Sequence, residues 1–213
     1  MKTLPRRLHI KYLVDRVVAP VVAVAISPVL AAIGVGIWLG DGGNIFFRQE
    51  RVGEDGKVFK IWKFRTMKAN AEQIGLGYVP PGSNLVTRTG AFLRKTSLDE
   101  LPQIFNIMRG EMSLVGPRPA LPDQVARYTQ TQRRRFEVRP GIAGWAQLHG
   151  RNLLPWRKRI EYDIEYVARA SLSFDLYILA RTIPMVLRGS GVADWAQKDL
   201  VDDLATTHPE DHA

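Results

Sequence analysis

Asp99 and Glu100 stand side by side in Thr96-Ser-Leu-Asp-Glu-Leu-Pro-Gln103, after a hydroxyl residue and before a proline. Such a pair suits a hard cation, because Mg²⁺ binds through one or two carboxylates, keeps several waters and takes substrate phosphates as its remaining ligands. Neighbours on a helix point about 100° apart, so side chains so placed do not readily aim at one atom, but they can divide their labour. One carboxylate can attack phosphorus covalently while the other anchors the metal, and a helix N-terminus beside them helps hold the phosphate. The same stretch also fits an ordinary helix start. Ser97 and Glu100 have the spacing of a capping box, and acids favour the positive end of a helix dipole. On local sequence alone both readings stand.

The arginines carry a similar ambiguity. Arg118 lies between Pro117 and Pro119, whose rings restrict the backbone and present a planar fork to an anion, although an exposed arginine in a proline turn is the plainer account. Arg139-Pro140-Gly141 offers the same kind of presentation. Arg133, Arg134 and Arg135, in a polar stretch, read as a solvated or lipid-facing stripe. The familiar phosphate loops are missing: there is no Gly-x-x-x-x-Gly-Lys-Ser/Thr, Gly34 to Gly40 lacks the third glycine at the dinucleotide spacing, and no Gly-x-Ser-x-Gly occurs.

Composition narrows the partners. The 213 residues are 46% hydrophobic, enough for a proper core, and contain no cysteine, which excludes disulfides, thiolate metal sites and a cysteine nucleophile. Histidines at 9, 149, 208 and 212 are too scattered for a zinc cluster. The net charge is +9, but residues 1–193 carry 29 basic and 15 acidic side chains. That body seeks anions: anionic lipid, nucleic acid or phosphorylated small molecules. Nucleic acid is disfavoured, since no zinc finger, RNP-like aromatic pattern or helix-turn-helix signature appears.

From Val17 to Gly40 the chain runs 24 residues without a charge. A straight helix of that length measures about 36 Å against a hydrocarbon core of about 30 Å. A through-span and a buried soluble helix are therefore alternatives. Two features favour a re-entrant helix that enters and leaves by one face. Ser27-Pro28 sits mid-run, where proline removes an amide donor and Ser27 can bond a freed carbonyl. Basic residues also flank both ends, Lys2 to Arg16 before and Arg48 to Lys68 after, so the positive-inside bias assigns both to the cytoplasm.

Residues 45–65 predict two strands joined at Asp55-Gly56. Helices are predicted at 68–74, 89–95, 99–109, 122–137, 156–169 and 173–188, with a short strand over Met112 to Val115. Loops are predicted at 75–84 and over Arg139 to Asn152. On the last helix Leu176, Leu179, Ile183, Val186 and Leu187 share a face whose default meaning is core packing, with seating at a bilayer surface as the alternative. The expected fold is mostly helical α+β: a cytosolic-face domain over 41–190 with a β-hairpin, a membrane segment over 1–40 broken at Ser27-Pro28, and an acidic tail over 191–213.

Taken in order, these stretches form a recognisable set: Asp15-Arg16, Ser27-Pro28, Phe47-Arg-Gln-Glu-Arg-Val-Gly53, Lys63-Phe-Arg-Thr-Met67, Ser97-Leu-Asp-Glu-Leu-Pro-Gln103, Met112-Ser-Leu-Val-Gly-Pro-Arg-Pro119 and Val138-Arg-Pro-Gly-Ile-Ala-Gly-Trp-Ala-Gln147. The chain resembles the bacterial sugar transferases, in their small monotopic form as polyprenyl-phosphate phosphoglycosyl transferases, from about Tyr12 to Arg188. The resemblance implies that Asp99 attacks the β-phosphate of a UDP-sugar, expels UMP and carries a phosphosugar, while Glu100 helps bind Mg²⁺. The phosphate of a membrane polyprenyl (undecaprenyl) phosphate then takes the phosphosugar, which starts polysaccharide or glycoconjugate assembly. It further implies substrate contacts at Arg118, then at Arg139, Pro140 and Gly141, and at Arg65 and Arg88, on the cytoplasmic face of the bacterial inner membrane. Glu111 stands where the family more often has Asp, and His149 where Asn or Ser is commoner.

Overall fold

The computed structural model describes residues 5–68, 85–150 and 154–187. The helix predicted over 68–74, the 75–84 loop and the acidic tail lie outside these, apart from Lys68. The architecture is mostly helical α+β, with one long apolar helix followed by a small body.

Helix α1 (Arg6–Asp41) runs as one element through Pro20 and Pro28. The break expected at Ser27-Pro28 is therefore not a division into two separate helices. Pro28 has no N–H to give the Val24 carbonyl, and the Ser27 hydroxyl donates to that carbonyl instead, at 2.8 Å. Apolar residues recurring every three or four positions bind α1 to the body along its length. Leu8 and Tyr12 pack with Val115, Tyr166 and Phe174. Ala19, Val22 and Ile26 pack with Phe59, Ile104 and Met112, and Ile33 and Ile37 with Phe64 and Leu93. The opposite face is apolar too, with Leu13, Val17, Val21, Val24, Trp38 and Leu39 exposed.

Strands β1 (Phe46–Val52) and β2 (Val58–Phe64) form the expected antiparallel hairpin, in register Val52↔Val58. A single helical turn, Glu54–Gly56, joins them with positive φ at Asp55 and Gly56. Helices α2 (Arg88–Thr96) and α3 (Ile104–Met108) flank a 3₁₀ turn at Leu98–Gln103, so the helix expected at 99–109 is tighter in its first half. Pro102 and the left-handed Ser97 set that pitch.

Strand β3 (Ser113–Val115) pairs in parallel with β4 (Gly141–Ala143), which corrects the loop expected across Arg139 to Asn152. The two backbones meet so closely that a Cβ on Gly141 would collide with Gly116 N and one on Gly116 with Arg139 O. The polar helix expected at 122–137 is likewise two pieces, α4 (Pro122–Val125) and a 3₁₀ turn at Gln132–Glu137. Thr129 and Gln132 exchange side-chain and backbone bonds at 2.9 and 3.3 Å, a local start signal that restarts the helix.

Helices α5 (Trp145–Leu148), α6 (Trp156–Arg169) and α7 (Leu172–Leu187) complete the body. On α7 the inward residues are Phe174 and Ile178, with Leu179 half-buried against them. Leu176 and Ile183 are 67% and 60% exposed, so core packing is corrected for those two positions.

Candidate active site

The acids sit at the start of the 3₁₀ turn that follows α2. Ser97 does not act as the N-cap by its side chain: its φ of 57° makes it the left-handed end of α2, where its N–H meets the carbonyls of Leu93 and Arg94. The capping box is thus corrected. The Glu100 side chain is free to turn inward, and it does. Lys63 Nζ and Arg118 Nη2 both donate to Glu100 Oε1 at 2.7 Å, and Arg118 Nη1 reaches Oε2 at 3.3 Å.

The hairpin positions Lys63. Alternation along β2 puts Phe59, Ile61 and Lys63 on one face, so the cation ends a row whose other two members are core residues. That lysine in an apolar row was the signal available for it in the sequence. Arg51, opposite Phe59 in the register, shares the face.

The electrostatics separate the two acids. Burial would push the Glu100 carboxyl up, but Arg118 and Lys63 outweigh it and hold it far below the ordinary range. Asp99 is pushed up to about 6, first by burial and then by the Glu100 charge, against the pull of Lys63, Arg118 and Arg94. Burial lowers Lys63, with Glu100 opposing. Burial also lowers Arg51, to about 10, and repulsion from Arg118 adds to it. One acid is therefore a fixed anion and its neighbour a carboxylate of unusually high basicity.

Arg118 is held from behind. Val52 N donates to Ala120 O at 3.0 Å, pinning the Pro-Arg-Pro turn to the hairpin, and Arg135 Nη2 donates to Arg118 O at 2.7 Å. Arg135 is 1% exposed. It also meets Asp163 at 2.6 Å and the Tyr128 hydroxyl at 2.7 Å. The solvated or lipid-facing reading of Arg135 is corrected, because a guanidinium with three acceptors can be buried where a bare one cannot. Arg134 does stay outside, beside Glu137.

The other predicted residues are placed elsewhere. Arg139 donates to Glu54 at 3.2 Å and stacks 4.0 Å over the Tyr12 ring, tying α1 to the hairpin turn. Pro140 and Gly141 serve the β3–β4 contact, with Pro140 O accepting from Ser113 N at 2.8 Å. Arg65 donates to Gly42 O at the end of α1, and Arg88 is an exposed residue of the first turn of α2. His149 stacks on Tyr162 with ring centroids 4.1 Å apart, and Glu111 accepts from Asn106 at 2.6 Å.

A second polar cluster escaped the sequence reading altogether. Lys11 Nζ donates to Asp175 at 2.7 Å, to Val115 O at 2.9 Å and to Ser113 Oγ at 2.5 Å, and Ser113 donates to Asp15 at 2.5 Å. Tyr166 closes it by donating to Asp175 at 2.7 Å. All five side chains are buried. Lys11 and Asp15 at i, i+4, just before an apolar run, were the only local hint.

The donor set suits a divalent cation of the Mg²⁺ kind. Glu100 Oε1 is taken twice, but Oε2 keeps a strong lone-pair position beside its long contact with Arg118. With Asp99 that gives two hard oxygens, the number such an ion draws from protein when phosphates supply the rest. No cluster of three or more ligating side chains exists among the described residues.

The family model for bacterial sugar transferases matches residues 6–189. A sugar transferase of Bacillus subtilis (strain 168), EpsL, described as uncharacterized, is 47% identical over 151 residues, which is 71% of this chain and 74% of that protein. The UDP-glucose:undecaprenyl-phosphate glucose-1-phosphate transferase of Escherichia coli (strain K12) is 41% identical over 177 residues, 79% of this chain but 38% of the relative. An exopolysaccharide production protein of Sinorhizobium fredii (strain NBRC 101917 / NGR234), ExoY, is 36% identical over 192 residues, 83% and 85% of the two chains.

Proposed function

The chain belongs to the bacterial sugar transferase family, and from that membership we propose that it moves a sugar 1-phosphate from a UDP-sugar to a membrane polyprenyl phosphate. UMP is released, and the phosphosugar passes through Asp99. The supporting observation is the unlike state of two adjacent acids: Glu100 is clamped by Lys63 and Arg118, while Asp99 accepts no hydrogen bond among the described residues and stays basic.

An Asp99 carboxylate oxygen attacks the β-phosphorus, and the bond from that phosphorus to the bridging oxygen breaks, its electron pair leaving with UMP. An oxygen of the polyprenyl phosphate then attacks the same phosphorus and Asp99 departs as carboxylate. Arg118, Lys63 and Arg51 face the charge that gathers on the phosphoryl oxygens. Bound Mg²⁺, held by Asp99 and Glu100 Oε2, would supply Lewis-acid neutralisation of the diphosphate.

The seat of this chemistry is the cytoplasmic face of the bacterial inner membrane. Both ends and the middle of α1 pack on one body while its other face is apolar and exposed. That favours a helix that dips into one leaflet, bending at Ser27-Pro28, over one that leaves the body to cross. Cysteines at positions 5 and 45 that are both shielded from an outside reagent in intact cells support the dip; outside labelling of only one overturns it.

The transfer is tested by incubating the protein with Mg²⁺ and a panel of UDP-sugars, lipid acceptor omitted, and weighing it intact. A phosphosugar adduct absent from Asp99→Asn is expected. UMP release undiminished in that variant overturns the assignment.

A further inference from the structure

A groove of about 540 Å³ separates the second half of α1 from the hairpin and α3, with Leu30, Gly34, Val35 and Trp38 on one side and Phe46 and Phe105 on the other. Its size is that of a ligand site, about 300–1,000 Å³, and its walls are apolar. At its rim stands Trp62, with ring centroids 5.4 Å from Phe46 and 6.2 Å from Phe105. Two guanidiniums lie over that indole, Arg48 at 4.4 Å and Arg109 at 5.5 Å. Both arginines are exposed, and neither has an acidic partner among the described residues. The Trp62 indole N–H is buried and finds no acceptor among the described residues.

From this we propose that the groove and its rim bind one anionic phospholipid, an acyl chain lying between α1 and Phe46/Phe105 and the phosphate resting on Arg48 and Arg109. Continuity carries part of the case, since Val29, Val35, Trp38 and Leu39 extend the apolar surface outward along α1. Charge complementarity carries the rest: apolar walls ending in two uncompensated cations match a chain ending in a phosphate. The hairpin decides which phosphate. Successive residues of a strand point to opposite faces, so Trp62 and its partner Arg48 are turned away from Lys63 and the Glu100 cluster. A phosphate on Arg48 and Arg109 therefore faces away from Asp99, which identifies a resident membrane lipid rather than the reacting acceptor. The site depends on α1 being seated in a membrane and not on the transfer reaction.

Native mass spectrometry of the full chain in a neutral detergent tests it, with phosphatidylglycerol, phosphatidylcholine of the same chains and undecaprenyl phosphate added in separate arms. Phosphatidylglycerol is expected to be retained over phosphatidylcholine. Each of Arg48→Gln and Arg109→Gln should weaken that retention about fivefold, and Ala31→Trp, which fills the groove, should weaken retention of both phospholipids. Equal retention of the two phospholipids, an unchanged double arginine variant of normal circular dichroism, or loss of undecaprenyl phosphate alone in that variant each overturns the proposal. None of these readouts requires turnover, so they stand apart from the adduct experiment.

Discussion

Arg135 donates through Nη2 to the main-chain carbonyl of Arg118 at 2.7 Å, so one arginine fixes the backbone of another that clamps a carboxylate. The support is itself an ion pair with Asp163, both side chains essentially without solvent contact. Replacing Arg135 by Met breaks that pair and leaves Asp163 buried with only the Arg159 charge nearby, at a cost of about 3 kcal/mol. The double variant Arg135→Met/Asp163→Leu should recover much of that, as read from denaturant midpoints in mild detergent. An unchanged midpoint in the single variant would count against the support role.

The basicity of Asp99 sets a pH dependence. Its carboxyl is pushed up to about 6, and in the proposed transfer only the carboxylate form can attack phosphorus. Initial-rate kcat/KM for UMP release should be level at pH 7 and above and, once the carboxyl is protonated at lower pH, fall about tenfold per pH unit. Glu100 stays ionised throughout because Arg118 and Lys63 hold it down. Mg²⁺ at the same carboxylate moves the fall to lower pH, so a rate that rises on acidification through pH 6 would refute the role of Asp99.

Arg118 meets both oxygens of Glu100 with two nitrogens, a geometry that lysine cannot copy. Arg118→Lys should cost about 100-fold in kcat, measured as UMP release at saturating UDP-sugar. Retention of more than half the activity would reduce Arg118 to a bystander.

Arg51 points to the same face as Lys63 and is repelled by Arg118. The diphosphate of the proposed substrate would relieve that repulsion, so Arg51→Gln should raise KM for the UDP-sugar about tenfold with a smaller effect on kcat. A change confined to kcat would mean that Arg51 is not a binding residue.

Gly141→Ala should destabilise by about 2 kcal/mol or more, because the added carbon meets Gly116 N with backbone on both sides. Thermal unfolding of the variant would show it, and an unaltered midpoint would mean that β3 and β4 can separate without loss.

The hairpin, the long apolar helix and the adjacent acids were legible because each is written in a short span: alternation and Asp55-Gly56 for the first, an uncharged run for the second, motif order for the third. Lys63 with Glu100, Arg135 with Asp163 and Lys11 with Asp175 lie 37, 28 and 164 residues apart. Pairs so distant leave no periodic trace, and buried arginine or lysine looks like surface charge until its acceptors are known. The same holds for β3 and β4, whose three residues each are too few to show alternation. Ser97 misled for a different reason. Its spacing from Glu100 satisfied a capping rule, while the claim of Lys63 and Arg118 on Glu100 came from elsewhere in the fold.

The contacts of α1 also make it a phased part. Positions 8, 12, 15, 19, 22, 26, 33 and 37 all look toward the body, and Asp15, bonded through Ser113 to β3, acts as the index mark. A residue inserted between Ser27 and Pro28 would rotate everything beyond it by about 100°, swinging Ile33 and Ile37 off Phe64 and Leu93 while leaving the Asp15 end untouched. Seven inserted residues would restore the angle yet lengthen the rod by about 10 Å. Helix α1 thus has a permitted length as well as a permitted phase: an insertion that restores the angle still carries Ile33 and Ile37 past Phe64 and Leu93.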